Sequence, residues 1–67
     1  MTDYRCYLLG ADNRIKDVFE FAAENDDDAV AVAERRRAQF SRYPGLELWD
    51  GARQVYVKLV PLPGGKA

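Results

Sequence analysis

The stretch that decides the fold covers residues 25–40 and reads NDDDAVAVAERRRAQF. Its first residue, Asn25, is a preferred N-cap, because its side-chain oxygen accepts a hydrogen bond from the first helical turn. Three aspartates follow at the positive end of the helix dipole, and three arginines lie toward its negative end. Pro44-Gly45 then disfavours continuation. The stretch predicts one helix, and no second helical stretch occurs in the sequence.

At about 100° per residue, one face of this helix is built mainly from small apolar residues. That face consists of Ala29, Val32, Ala33, Arg36 and Phe40. Arg36 has two interpretations. In the first, its methylene groups lie on apolar surface while the guanidinium reaches water. In the second, the guanidinium forms an anion site. The first is favoured, because the helix dipole already accounts for an arginine near the C-terminal end.

Strand patterns flank the helix on both sides. Aromatic-rich or alternating runs occupy residues 4–9, 14–21, 45–49 and 54–60, with turn residues at 10–13 and at Asp50-Gly51. The expected fold is α+β, a four-stranded and mainly antiparallel sheet with one helix packed on one face, in the order ββαββ. We expect residues 1–60 to form this single domain, and residues 61–67 to form a flexible C-terminal tail.

Alternation along each strand predicts which side chains face the helix. The predicted helix-facing set is Tyr4, Cys6, Leu8, Ile15, Phe19, Phe21, Leu46, Leu48, Val55, Val57 and Leu59. The register of the second hairpin stays open between two alternatives. A two-residue loop at Asp50-Gly51 sets Leu48 opposite Arg53, and a four-residue loop sets it opposite Val55. Both keep the same faces, because they differ by an even number of residues.

The other face of the sheet is expected to remain uncovered, since one helix covers one face. It is predicted to present an interaction surface formed by Tyr7, Leu9, Val18, Trp49 and Tyr56. An exposed apolar patch of this kind marks interaction sites on soluble proteins, and aromatic residues rimmed by charge form interface hot spots.

Composition excludes several classes of function. The chain has 67 residues, a net charge of −1, one cysteine and no histidine. Without histidine the common general base and metal ligand are missing, and the glycines match no phosphate-binding loop. We therefore expect no enzyme activity, no catalytic residues, no cofactor and no metal. No membrane-spanning or signal-like run occurs, and the lone Cys6 fits a reduced compartment, so cytoplasmic residence is expected.

Several of these features together resemble a known kind of protein. They are Tyr4 to Leu9, the turn Asp12-Asn13-Arg14-Ile15, the acidic cap before an alanine-rich helix, and LELWDGARQV at residues 46–55. With them the chain resembles small single-domain bacterial proteins of unknown function built as hairpin, helix, hairpin. The resemblance implies the ββαββ fold and a bacterial setting. It implies no activity and no functional residue.

The expected function is a small interaction module that self-associates as a homodimer, since a domain of this size has little core of its own. The alternative is a single-stranded nucleic-acid-binding module, with aromatic stacking beside Arg5, Lys16 and Lys58. An unidentified protein partner is a further alternative. The residues for anion or phosphate contacts would be Arg36, Arg37 and Arg42, with Arg35 beside them.

Overall fold

The computed structural model describes residues 1–39 and 42–59. The elements in these ranges are β1 (Thr2–Leu9), β2 (Ile15–Ala23), α1 (Asp26–Gln39), β3 (Gly45–Asp50) and β4 (Arg53–Lys58). The four strands form one antiparallel sheet in the order β2-β1-β3-β4. The predicted α+β fold in the order ββαββ is confirmed. The predicted tail at residues 61–67, and the predictions for Phe40 and Val60, lie outside the described residues.

The strand order places β1 and β3 side by side in the middle of the sheet. These strands are not consecutive, because α1 connects the edge strand β2 to β3. Cys6 lies opposite Leu48, and Leu8 lies opposite Leu46. This central pairing joins the two hairpins into one sheet and determines which residues of the first hairpin meet residues of the second.

The helix begins as its sequence predicts. Asn25 Oδ1 accepts a hydrogen bond from the backbone N–H of Asp28 at 2.9 Å, and the Asn25 carbonyl accepts one from the N–H of Ala29 at 3.0 Å. These are the bonds of an N-cap residue, which satisfies N–H groups that have no partner within the helix.

The core lies between α1 and the two central strands. Its buried cluster consists of Tyr4, Cys6, Leu8, Ala23, Ala29, Ala33, Leu46 and Leu48. Ala29 and Ala33 are fully buried, and their short side chains let the helix backbone come close to the sheet. The leucines of β1 and β3 then fill the space beneath it, as close-packed interiors require.

Each hairpin turn contains one residue with a positive φ angle. Asn13 has φ 63°, and its N–H donates to the Gly10 carbonyl at 2.9 Å. Asparagine tolerates this left-handed geometry, as the sequence predicts. In the second hairpin Gly51 has φ 60° and Asp50 lies opposite Arg53. The loop is therefore Gly51-Ala52. Next to the turn the strands have the register of the second alternative, with Trp49 opposite Gln54, but the predicted pair of Leu48 with Val55 does not form.

A β-bulge in the second hairpin reverses the predicted faces of β4 from Tyr56 onward, whereas Gln54 and Val55 keep theirs. Trp49 lies opposite Gln54 while Leu48 lies opposite Tyr56, so Val55 is the extra residue. An extra residue shifts the alternation by one position. The prediction that Tyr56 faces away from the helix and that Val57 faces it is therefore wrong: Tyr56 packs against the core, and Val57 lies opposite Glu47.

A second irregularity, between Leu8 and Leu9, changes the end of the first hairpin. Leu8 lies opposite Asp17 and Leu9 opposite Ile15, so Lys16 is the extra residue and Ile15 leaves the predicted helix-facing set. Leu9 was predicted to be an exposed surface residue, but its exposed fraction is 0%. A Cβ atom at Gly45 would lie 3.4 Å from Leu9 Cβ and 2.6 Å from the Lys58 carbonyl. Glycine at this position gives Leu9 room to pack against the backbone of β3.

Candidate interaction surface

We call the side of the sheet opposite α1 the open face. The strand pairings place on it Arg5, Tyr7, Val18, Glu20, Glu47, Trp49, Gln54 and Val57. Within residues 1–39 and 42–59, no helix or strand packs over this face, since α1 contacts the sheet from the other side. Of the predicted interaction residues, Tyr7, Val18 and Trp49 lie on the open face, whereas Leu9 is buried and Tyr56 faces the helix.

Four residues at the centre of the open face form a square across β1 and β3. Arg5 lies directly opposite Trp49, and Tyr7 lies directly opposite Glu47. The two aromatic residues therefore occupy one diagonal of the square, and the two opposite charges occupy the other. Directly opposite residues are close enough for their side chains to interact. We call this group the central square.

Polar contacts within the chain orient the side chains of the central square. Arg5 donates from Nε to Glu20 Oε2 at 2.9 Å. Its hydrogen bonds to Tyr7 and to Glu20 raise the pKa of the Arg5 guanidinium. Trp49 Nε1 donates to Glu47 Oε1 at 3.1 Å. The indole ring is thereby held beside a carboxylate, and Arg5 stays charged at every physiological pH.

Apolar side chains lie on both sides of the central square. Val18, on β2, is 47% exposed, and Val57, on β4, is 41% exposed. A concave depression of about 870 Å³ extends over part of the same face, with Arg5, Tyr7, Glu47 and Trp49 in its lining. The face thus combines exposed aliphatic groups, two half-buried aromatic rings and a few charges.

The predicted anion-binding arginines have separate partners and form no common site. The guanidinium of Arg36 lies 5.0 Å from the ring centre of Phe19, a cation–π contact that fits the interpretation of its stem lying on apolar surface. Arg37 donates to Glu34 Oε1 at 3.0 Å, and Arg42 lies 5.8 Å from the ring centre of the adjacent Tyr43.

Tyr56 belongs to a network between β4 and α1. Its hydroxyl donates to Glu34 Oε2 at 2.7 Å, and that bond raises the pKa of Tyr56. Burial acts to raise the pKa of Glu34, but the hydrogen bonds from Tyr56 and Arg37 outweigh it and the pKa is lowered. Tyr56 therefore holds the helix on the sheet, and it is not part of the open face.

Asp26 forms a second such network, which the sequence does not reveal. Asp26 accepts from the Tyr4 hydroxyl at 2.8 Å and from two nitrogens of Arg53 at 3.0 Å, while Arg53 also donates to Asp50 at 3.0 Å. The bonds from Arg53 and then from Tyr4 hold the pKa of Asp26 below its ordinary value. These contacts join the start of α1 to β1 and to the second hairpin, and no local pattern links residues so far apart in sequence.

Cys6 is a buried free thiol, and its surroundings affect its ionisation. Burial raises the pKa of the Cys6 thiol to about 12, and protonated thiols are poor nucleophiles. No group of three or more cysteine, aspartate or glutamate side chains in the described part of the chain is placed to hold a metal ion. Within the same residues, α1 is too short and too polar to cross a membrane.

Comparisons with models of protein families, with curated proteins and with solved structures found no match to this chain.

Proposed function

We propose that this protein is a non-enzymatic interaction module that self-associates through its open face as a homodimer. One observation carries the proposal: exposed Val18 and Val57 lie beside Tyr7 and Trp49 on a face that no described helix or strand covers. Removing such apolar area from water is the main driving force of association. A bacterial and cytoplasmic setting, implied by the resemblance and by the lone cysteine, belongs to the same proposal.

A second copy is the favoured occupant because the open face carries charges of both signs. Arg5 is positive, and Glu20 and Glu47 are negative, so two copies of the same face present complementary charges to each other. A two-fold assembly requires a single self-complementary patch, which makes it the simplest closed arrangement. A 67-residue chain also gains core area by pairing.

The open face has a modest area for a protein interface. Four strands about 4.8 Å apart, each contributing about six residues at about 3.3 Å, give a flat area of roughly 400 Å². Standard interfaces bury about 800 Å² on each partner. The open face is therefore at the small end, and we expect a dissociation constant of about 1–100 μM.

Light scattering over a concentration series tests the proposal. We expect the parent protein to become dimeric between about 1 and 100 μM. Val18→Glu and Val57→Glu each place a charge in the interface, and both should reduce association strongly while leaving the fold intact, since these side chains are exposed in the monomer. Ala31→Glu, on the exposed surface of α1, is the matched control and should associate like the parent.

Two results would contradict this proposal in different ways. A parent protein that stays monomeric at 100 μM, a generous concentration for an affinity of about this order, would contradict self-association. If the parent dimerises and Val18→Glu, Val57→Glu and Ala31→Glu all behave alike, the dimer exists but another surface forms it. Capture of a different protein by the monomer would indicate the unidentified partner instead.

Binding of single-stranded nucleic acid is the second candidate, and the positions of the cations favour it less. Arg5 is paired with Glu20, and Lys16 lies 3.4 Å from Asp12. Lys58 lies opposite Leu46, on the helix side of the sheet. Stacking platforms for single strands combine aromatic rings with a positively charged groove, and these cations do not form one beside Trp49.

We therefore expect no nucleic-acid binding at low salt. The fluorescence of Trp49, the single tryptophan, should remain unchanged when a mixed-sequence single-stranded oligonucleotide is added to tens of micromolar. Quenching that weakens steeply as salt is raised would instead show phosphate contacts with counterion release and would support the nucleic-acid alternative.

A further inference from the structure

We propose that Arg5 of one copy pairs with Glu47 of the second copy, twice in each dimer, and that this pair fixes how the two open faces meet. The inference rests on the proposed function, since it specifies the contact within that homodimer. Its basis is the central square, in which the charges of Arg5 and Glu47 occupy one diagonal and the rings of Tyr7 and Trp49 occupy the other.

Two sheets that pack face to face are related by a two-fold axis that lies between them and parallel to both. Seen in projection, such an axis places each residue of one copy over the residue of the other copy that lies at the same distance on the opposite side of the axis. The four positions are spaced about 4.8 Å across the strands and about 6.7 Å along them. If the axis follows the diagonal from Tyr7 to Trp49, Arg5 of each copy therefore lies within about 3 Å, in projection, of Glu47 of the other, an offset that their long side chains can span. The aromatic residues then meet their own counterparts along the axis, at the centre of the interface.

Other axes through the centre of the square join the charges less well. An axis parallel to the strands places Arg5 over Trp49 and Tyr7 over Glu47, so each charge meets an uncharged ring. An axis along the other diagonal places Arg5 over Arg5. Desolvating a charge is costly unless an opposite charge compensates for it, and the aromatic diagonal is the axis that gives both charges an opposite partner.

The contacts within each copy leave both groups able to form this pair. Trp49 uses one of the two carboxylate oxygens of Glu47, Oε1, and the side chain of Arg5 is more than half exposed at 54%. Arginine is suited to a shared pair, because its guanidinium carries five N–H donors in a rigid planar fork. Arg5 thus keeps Glu20 while it contacts Glu47 of the second copy.

The same axis leads to an allowed class of sheet packing. Residues two apart in a strand are about 6.7 Å apart, and neighbouring strands are about 4.8 Å apart, so the aromatic diagonal lies about 36° from the strand direction. A two-fold rotation about it crosses the strands of the two copies at roughly 70°. This angle is nearer to the orthogonal class of sheet packing, at about 90°, than to the aligned class, at about 30°.

A charge-reversal experiment tests the pair by complementation. Arg5→Glu and Glu47→Arg should each fail to form homodimers, because each homodimer would then face two like-charged pairs. An equimolar mixture should form a heterodimer, in which Glu at position 5 meets Arg at position 47 and Glu47 meets Arg5. The variant that carries both reversals should dimerise again. Sedimentation velocity at 150 mM salt measures all four samples, and far-UV circular dichroism verifies that each is folded.

Matched controls separate the specific pair from overall charge. Arg14→Glu and Glu24→Arg change the net charge by the same amounts at exposed positions in the connections, away from the central square. Each should associate like the parent, alone and in the mixture. The milder Arg5→Gln and Glu47→Gln should each weaken dimerisation by at least about tenfold, and together by less than the product of the two effects.

The possible results distinguish failure of the Arg5–Glu47 pair from failure of the proposed homodimer. A parent that remains monomeric contradicts the proposed function. A parent that dimerises, with single reversals that do not recover on mixing, contradicts the Arg5–Glu47 pair and with it the axis along the aromatic diagonal. If a reversal variant is unfolded, the two glutamine variants decide: strictly multiplicative losses would overturn the pair.

Discussion

Replacing Leu48 with alanine is expected to lower the free energy of unfolding by about 2–5 kcal/mol, as other buried leucine-to-alanine changes do. Leu48 has an exposed fraction of 0%. It lies on the central strand β3, opposite Cys6 on β1 and Tyr56 on β4. The helix residues buried in the same cluster are Ala29 and Ala33, whose short side chains cannot move into the cavity. A chain of this length has a total stability of about 3–10 kcal/mol, so the loss is a large share of it.

Thermal or urea denaturation at a fixed protein concentration measures this loss, because association also stabilises a dimeric protein. A shift of the melting temperature of about 10 °C or more is expected for a domain of this size. Leu59→Ala is the matched control, since Leu59 is 59% exposed, and it should melt close to the parent. A Leu48→Ala protein with the parent's melting temperature would show that the core does not lie under α1.

The elements that the sequence predicts correctly are those whose signals are local. The helix start depends on Asn25 and the aspartates after it, and the observed N-cap bond joins Asn25 to Asp28. The first turn depends on a residue that tolerates positive φ, and Asn13 takes that conformation. Caps and turns are decided within a few residues, so one sequence is sufficient to locate them.

The faces of β4 beyond Val55 could not be predicted, because a bulge has no comparable local signal. Residues 54–60 alternate regularly, and an unbroken ladder would keep Tyr56 on the open face. The bulge at Val55 instead brings the Tyr56 hydroxyl to Glu34 on α1 at 2.7 Å. This hydrogen bond gives the Tyr56 hydroxyl and the Glu34 carboxylate a partner at the edge of the core. The ring of Tyr56 packs against the core at the same place. Its partners come from different elements, so the preference for the bulge is a tertiary effect.

The candidate interaction surface could be predicted where its residues depend on local signals, and it could not where they depend on tertiary contacts. Tyr7, Val18 and Trp49 follow from alternation within their own strands. The central square depends on the register between β1 and β3, which α1 separates in the sequence. The sequence alone therefore does not indicate that Arg5 and Glu47 lie close together. Their proximity follows from the pairing of β1 with β3. Leu9 was misplaced because its burial depends on the missing side chain at Gly45.

The second large effect concerns the reactivity of Cys6. In the folded protein its exposed fraction is 0%, and burial raises the pKa of the thiol to about 12. An unfolded cysteine has a pKa of about 8.5. At pH 8 the thiolate, which is the reactive form, is therefore about 10³-fold less abundant in the folded state. Burial also excludes the reagent, so alkylation by iodoacetamide should require unfolding.

We expect alkylation at pH 8 to be at least about 100-fold slower in buffer than in denaturant, and to accelerate with urea along the global unfolding curve. Because Cys6 lies on the helix side of the sheet, a dimer formed through the open face would slow the reaction by stabilising the fold and not by covering the thiol. Rates in buffer within tenfold of those in denaturant would contradict the buried position of Cys6. A fast phase independent of urea would instead show local opening between α1 and β1.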